Sequence, residues 1–175
     1  MIESLKLIIP PPSLPVECEG DWEALEAILG FEAPSDYREF IASYGSCLLD
    51  ELIAPLNPFS ANKYWNLLER AKELCDALRQ LQSESQAELP LAVYPAKDGL
   101  FPWGFTTNGD VLYWLQIGAP SEWTTVVNAD RDSEFEIYRG GMGAFLAATF
   151  GRQHTSRVFP EEFPSSQPRA RAIVF

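Results

Sequence analysis

The chain is expected to fold as an α+β protein, with an antiparallel meander of about five to six strands flanked by helices. Three observations predict it. Residues 100–115 read LFPWGFTTNGDVLYWL, two aromatic-rich apolar runs meeting at Asn108-Gly109. Both turn residues tolerate positive φ, which a two-residue type I′ turn demands, so residues 101–107 and 110–115 should pair as a hairpin. The first half and residues 142–150 carry apolar residues at helical spacing, whereas the stretch from Leu91 to Tyr138 alternates with a period of two.

In chain order, Trp22, Leu25, Ile28 and Leu29 share one face of a short helix that Asp21 can cap and Gly30 can end. Tyr37, Phe40, Ile41 and Tyr44 repeat the pattern before Gly45. A longer helix is expected over 62–81, with Tyr64, Leu67, Leu68, Ala71, Leu74, Cys75, Leu78 and Leu81 in one stripe and Ser60 near its start. Polar residues 82–88 link it to the strands.

Runs 91–94, 101–107, 110–117, 123–128 and 134–138 are separated by turn-forming clusters and read as the meander. In the third run Val111, Tyr113 and Leu115 face one way and Leu112 and Trp114 the other, so that strand belongs in the middle of the sheet. Trp103, Trp114 and Trp123 read as sheet-core aromatics before they read as a stacking site. Met142, Phe145, Leu146, Thr149 and Phe150 form a last helix that ends at Gly151 and packs across one sheet face. The segment 152–175 is rich in proline yet keeps Val158, Phe159, Phe163 and Ile173-Val174-Phe175 as anchors, so it is expected to be extended and docked on a single domain spanning 1–151.

The order of motifs resembles the SUKH (Smi/Knr) superfamily. The residues that carry the resemblance are Ala33-Pro34-Ser35-Asp36-Tyr37-Arg38-Glu39-Phe40 closing at Tyr44-Gly45, then Trp103-Gly104, Asn108-Gly109-Asp110, Tyr113-Trp114 and Trp123-Thr124. The resemblance implies an α+β domain that in bacteria commonly serves as an immunity protein neutralising a polymorphic toxin, often a nuclease; fungal relatives regulate cell-wall assembly. It also implies mainly structural roles for Tyr37, Gly45, Trp103, Gly104, Asn108, Gly109, Asp110 and Trp114.

Composition narrows the partners independently. The 175 residues suit one domain, and 46% apolar with 22% charged content is ordinary for a globular chain. The formal charge of −12 is not, and without the four Arg and two Glu from Arg152 onward the body carries −14. Nucleic acid would be repelled, whereas a basic protein such as a toxin domain would be steered inward. Cys18, Cys47 and Cys75 lack metal-site or redox spacing and read as reduced thiols, and no signal peptide or membrane span is visible, so a cytoplasmic location with no membrane partner is expected.

No catalytic residue, metal ligand or cofactor site is assigned. His154, the single histidine, has no GxSxG elbow or nearby cysteine to serve. The run Asp130-Arg131-Asp132-Ser133-Glu134 lacks the glycine of a calcium loop, and Gly140-Gly141-Met142-Gly143 lacks the lysine of a phosphate loop. On the 62–81 helix, Glu69, Glu73 and Asp76 fall opposite the apolar stripe with Trp65 beside them, which reads as a partner-binding patch. The expected function is therefore a non-enzymatic protein-binding module; an intracellular scaffold or small-ligand module of the same superfamily, and a carboxylate-based enzyme, are the alternatives.

Overall fold

The period-two runs after residue 99 do assemble side by side. In the computed structural model, which describes residues 2–84, 91–130 and 135–175, one seven-stranded sheet is flanked by five helices among the described residues, an α+β fold. The helices are α1 (Ile2–Ile8), α2 (Trp22–Leu29), α3 (Ser35–Tyr44), α4 (Leu67–Glu84) and α5 (Met142–Phe150). The strands are β1 (Cys47–Leu49), β2 (Ile53–Pro55), β3 (Leu100–Thr106), β4 (Val111–Leu115), β5 (Thr124–Asn128), β6 (Phe135–Tyr138) and β7 (Ala170–Ala172). Their order is β6-β5-β4-β3-β2-β1-β7, and every neighbouring pair is antiparallel.

The sheet divides two cores, because β4 is apolar on both sides. Leu112 and Trp114 join Phe101, Trp103 and Trp123 in the larger core, which α1, α2, α3 and α5 cover. Val111, Tyr113 and Leu115 join Leu100 and Val126 in a smaller one, closed by Cys75 and Leu78 of α4. Trp114 is the hub of the larger core, with ring centroids of Tyr37, Phe101, Trp103 and Trp123 at 4.9, 6.1, 6.4 and 6.0 Å.

Caps and turns explain several boundaries. Asp21 accepts the Ala24 amide at 3.0 Å, and Gly30 ends α2 at φ +75°. The β3–β4 connection is a three-residue loop, correcting the two-residue turn: Thr106 N–H bonds Asp110 O, Gly109 N–H bonds Thr106 O, and Gly109, unlike Asn108, takes positive φ at +100°. Asp110 then pins the loop, accepting from Thr106 Oγ1 at 2.6 Å and from the Asp130 amide at 3.2 Å.

Other expectations change. Residues 91–94 form no strand; Val93 makes one parallel bridge to Leu100 and fills the smaller core. Helix α1 and strands β1, β2 and β7 were not anticipated, which is why the sheet has seven strands instead of five or six. Strands β1 and β2 meet at a tight turn in which Asp50 and Glu51 both adopt positive φ, +48° and +55°. Within residues 152–175, Phe159 is buried, β7 pairs with β1, and Arg171 grips Glu51 through two bonds of 2.9 Å.

Candidate functional site

Helix α4 begins five residues later than its sequence pattern suggests, and this displaces the expected patch. Asn57, Asn62 and Asn66 take up the backbone of residues 57–66 in side-chain turns, an alternative that asparagine offers in competition with helix. Asn66 is the cap, accepting from the Leu68 and Glu69 amides at 3.0 and 3.3 Å. Tyr64 and Trp65 therefore precede the helix. Tyr64 is exposed instead of joining the apolar stripe, and Trp65 shares no helical face with Glu69, Glu73 and Asp76.

Trp65 is half-buried, with Phe105 at 5.7 Å and the C-terminal Phe175 at 5.8 Å from its ring. Trp65→Ala should accordingly cost about 1–2 kcal/mol of stability, read as a lowered urea midpoint. An unchanged midpoint with weaker partner binding would restore it as a contact residue.

The three acids do lie exposed along the outer ridge of α4, but with cations among them. Arg70 bonds Glu73 at 2.7 Å and Arg79 bonds Asp76 at 2.6 Å, so the ridge is nearly charge-balanced. The missing negative charge is elsewhere. Residues 1–51 hold eleven of the twenty-five acids and only two of the thirteen bases, Lys6 and Arg38, hence −9 of the total −12. Glu19, Asp21, Glu23 and Glu32 are exposed on and around α2, while Glu26 is drawn inward by Arg38 and the Ala33 amide. A charge count by thirds of the chain would have found this; a count over the whole body hides it.

Between α2 and α4 runs an apolar groove of about 280 Å³, with Leu29, Ala71, Cys75 and Phe101 deep in it and Ile28, Lys72 and Asp76 among the residues at its rim. Ile28, expected to face the core, is instead 67% exposed there. Two ties fix the width. Tyr94 donates its hydroxyl to Leu29 O at 2.6 Å, and Arg79 reaches from α4 to Tyr94 O, so α2 and α4 are strutted through one residue. Burial pushes the Cys75 thiol up to about 11, which leaves it a neutral apolar surface at physiological pH.

The residues of the family-like motif sit at structural positions. Tyr37, Trp103 and Trp114 are buried in the larger core, and Tyr37 also donates to Leu56 O at 2.6 Å. Gly45 takes φ +59° where a Cβ would lie 1.9 Å from Val16 O, and Gly104 sits at the irregular register between β3 and β4.

His154 Nε2 lies 3.1 Å from Glu136 Oε1, with its ring against Tyr138 and Phe145. At the Gly140-Gly141-Met142-Gly143 segment, Asp36 of α3 accepts the Gly143 amide at 2.8 Å at the start of α5. Cys47 and Cys75 are buried and Cys18 half-buried, all as free thiols. Of the calcium-like run, residues 131–134 lie outside the described residues. No cluster of three or more His, Cys, Asp or Glu suited to a metal is found among the described residues, and no helix among them is long and apolar enough to cross a membrane.

Compared with protein-family models, curated proteins and solved structures, the chain finds no match.

Proposed function

We propose that the chain is a non-enzymatic protein-binding module of the toxin-immunity kind, which occludes a basic toxin domain through its acidic surface. The observation that carries this reading is the concentration of −9 in residues 1–51, with exposed carboxylates on and around the helix whose end lines a preformed apolar groove. Negative potential of that kind raises encounter rates with a cation by about 10- to 1,000-fold, and an apolar recess beside it supplies the short-range contact that slows escape. The ordered motif residues Tyr37-to-Gly45, Trp103-Gly104 and Asn108-Gly109-Asp110 support the same reading through their SUKH-like pattern.

The acidic, apolar-grooved surface favours a protein over nucleic acid, whose phosphates it would repel. The groove also lends some support to the alternative, a small-ligand module, though about 280 Å³ is at the small end of ligand pockets. Mixing the full chain with basic toxin catalytic domains, starting with any encoded beside it, should give a stoichiometric complex on size-exclusion chromatography and loss of toxin activity. A chain that binds none of them, while a small apolar ligand raises its melting temperature, would overturn the proposal in favour of the alternative.

A further inference from the structure

We infer that β7 is a docking edge for a second copy of this chain, which pairs with it in antiparallel fashion and joins two sheets into one. The inference stands apart from the toxin-immunity reading, because it uses residues 169–175 and needs no basic partner. Three observations converge on a second copy as the occupant.

The first is an open edge. β7 ends the sheet, and odd-numbered residues carry its bonds to β1: Asp50 N–H bonds Arg169 O at 2.7 Å and Ile173 N–H bonds Ser46 O at 2.9 Å, on either side of the Leu48↔Arg171 pair. In an antiparallel ladder the residues between them turn their N–H and C=O the other way. Ala170, Ala172 and Val174 therefore present a row of donors and acceptors that no strand among the described residues takes up. The opposite edge is treated differently. Arg157 donates its side chain to Phe135 O of β6 at 3.3 Å and its amide to Glu136 at 2.8 Å, so the returning chain lies across that edge. An edge without such cover is a template for another strand.

The second is that residues 169–175, RARAIVF, complement themselves. With a two-fold axis at Ala172, Ala170 of one copy falls opposite Val174 of the other, Arg171 opposite Ile173, and Arg169 opposite Phe175. The exposed groups then gain partners. Val174 is 79% exposed, and Phe175, although its ring lies 5.8 Å from that of Trp65, is 56% exposed. Arg169 is exposed and has no ion pair among the described residues, which leaves its guanidinium to meet the Phe175 ring across the axis. Moving the axis to Arg171 would oppose two arginines instead.

The third is charge. Residues 152–175 hold four Arg against two Glu on a body of −14, so the two copies meet through their least acidic segments. Repulsion between whole chains of −12 still opposes the encounter, and salt should therefore strengthen the dimer, whereas it should weaken a complex with a basic domain.

Sedimentation velocity of the full chain from about 10 µM to about 1 mM, with amide hydrogen exchange at both ends of that range, tests the proposal. A seven-residue edge belongs with small, transient interfaces, and a dimer with Kd of roughly 50–500 µM is expected. At the higher concentration the amides of Ala170, Ala172 and Val174 should slow markedly, while those of Arg171 and Ile173, already turned to β1, should change less. Ala172→Pro removes an outward N–H without touching a β1 bond. It should weaken the dimer by about tenfold or more, since the axis makes each substitution count twice. Val174→Lys should have a similar effect with the fold intact, and it carries the test if the proline variant unfolds.

A chain that stays monomeric up to about 1 mM, or a dimer that Val174→Lys leaves unchanged, would overturn the proposal. So would exchange protection confined to another surface, or a dimer that weakens as salt rises, because either would place the contact away from this edge.

Discussion

Trp114→Ala should lower the stability of the fold by about 3–5 kcal/mol, the range for deleting a large aromatic from a packed core. The side chain is 1% exposed and touches four other aromatic rings, so no neighbour is free to collapse into the space. For a chain of this length each kcal/mol moves the melting temperature by about 2–4 °C, which makes a drop of about 10 °C or more the expected reading in a thermal scan. Trp114→Phe should be much milder. It keeps most of the ring contact and removes a buried Nε1–H that has no hydrogen-bond partner. A loss under about 1 kcal/mol for the alanine variant would mean that the aromatic cluster does not hold the two halves of the molecule together.

Removing residues 152–175 is the second change with a large expected effect. Although the segment reads as a tail, Phe159 is buried against Phe145 at 6.1 Å, Phe163 packs on Phe150 at 5.4 Å, and β7 completes the sheet beside β1. Truncation would uncover those rings and leave β1 as a bare edge, a template for aggregation. We expect a truncated chain to lose about 4 kcal/mol or more and to be recovered largely as aggregate. Single variants apportion the loss. Phe159→Ala should cost about 3 kcal/mol, whereas Arg171→Ala should cost less than about 1 kcal/mol because its pair with Glu51 is exposed. The reverse order, measured by urea unfolding, would mean that the tail is held by charge and not by packing.

These two effects also mark what the sequence made legible. The two-sided apolar pattern of Val111–Leu115 placed β4 inside the sheet, and the caps at Asp21, Gly30 and Gly151 bounded α2 and α5 to within a residue, because those signals are local. Strands β1, β2 and β7 have three residues each, too few for a period to declare itself, and they exist only through pairing with partners far along the chain. The turn between β1 and β2 carries Asp50 and Glu51 in the left-handed region without the Asn or Gly that announces such a turn. Ile2, Leu5 and Ile9, by contrast, stand at helical spacing and are fully buried; α1 was readable and was missed.

The candidate site was legible in part. Glu69, Glu73 and Asp76 stand on the outer ridge of α4 as their spacing required, but Trp65 left that face because three asparagines compete with helix before Leu67. The groove itself depends on Tyr94, which is 65 residues from the Leu29 carbonyl it binds, and no local pattern encodes that contact. Ile28 gave no sign of it, because an isoleucine on the apolar side of α2 reads as core and only the fold leaves it in water.

The central claim, that an acidic surface built mainly from the first 51 residues recruits a basic partner, is tested most directly by the rate of association with a basic toxin domain at several salt concentrations. Between about 10 and about 150 mM salt the screening length falls from about 30 to about 8 Å. The account predicts that the on-rate falls by about tenfold or more across that range while the off-rate changes little, and that joint replacement of Glu19, Glu23 and Glu32 by glutamine removes more of the effect than replacement of Glu69 and Glu73. An on-rate indifferent to salt, or one governed by Glu69 and Glu73 alone, would contradict it.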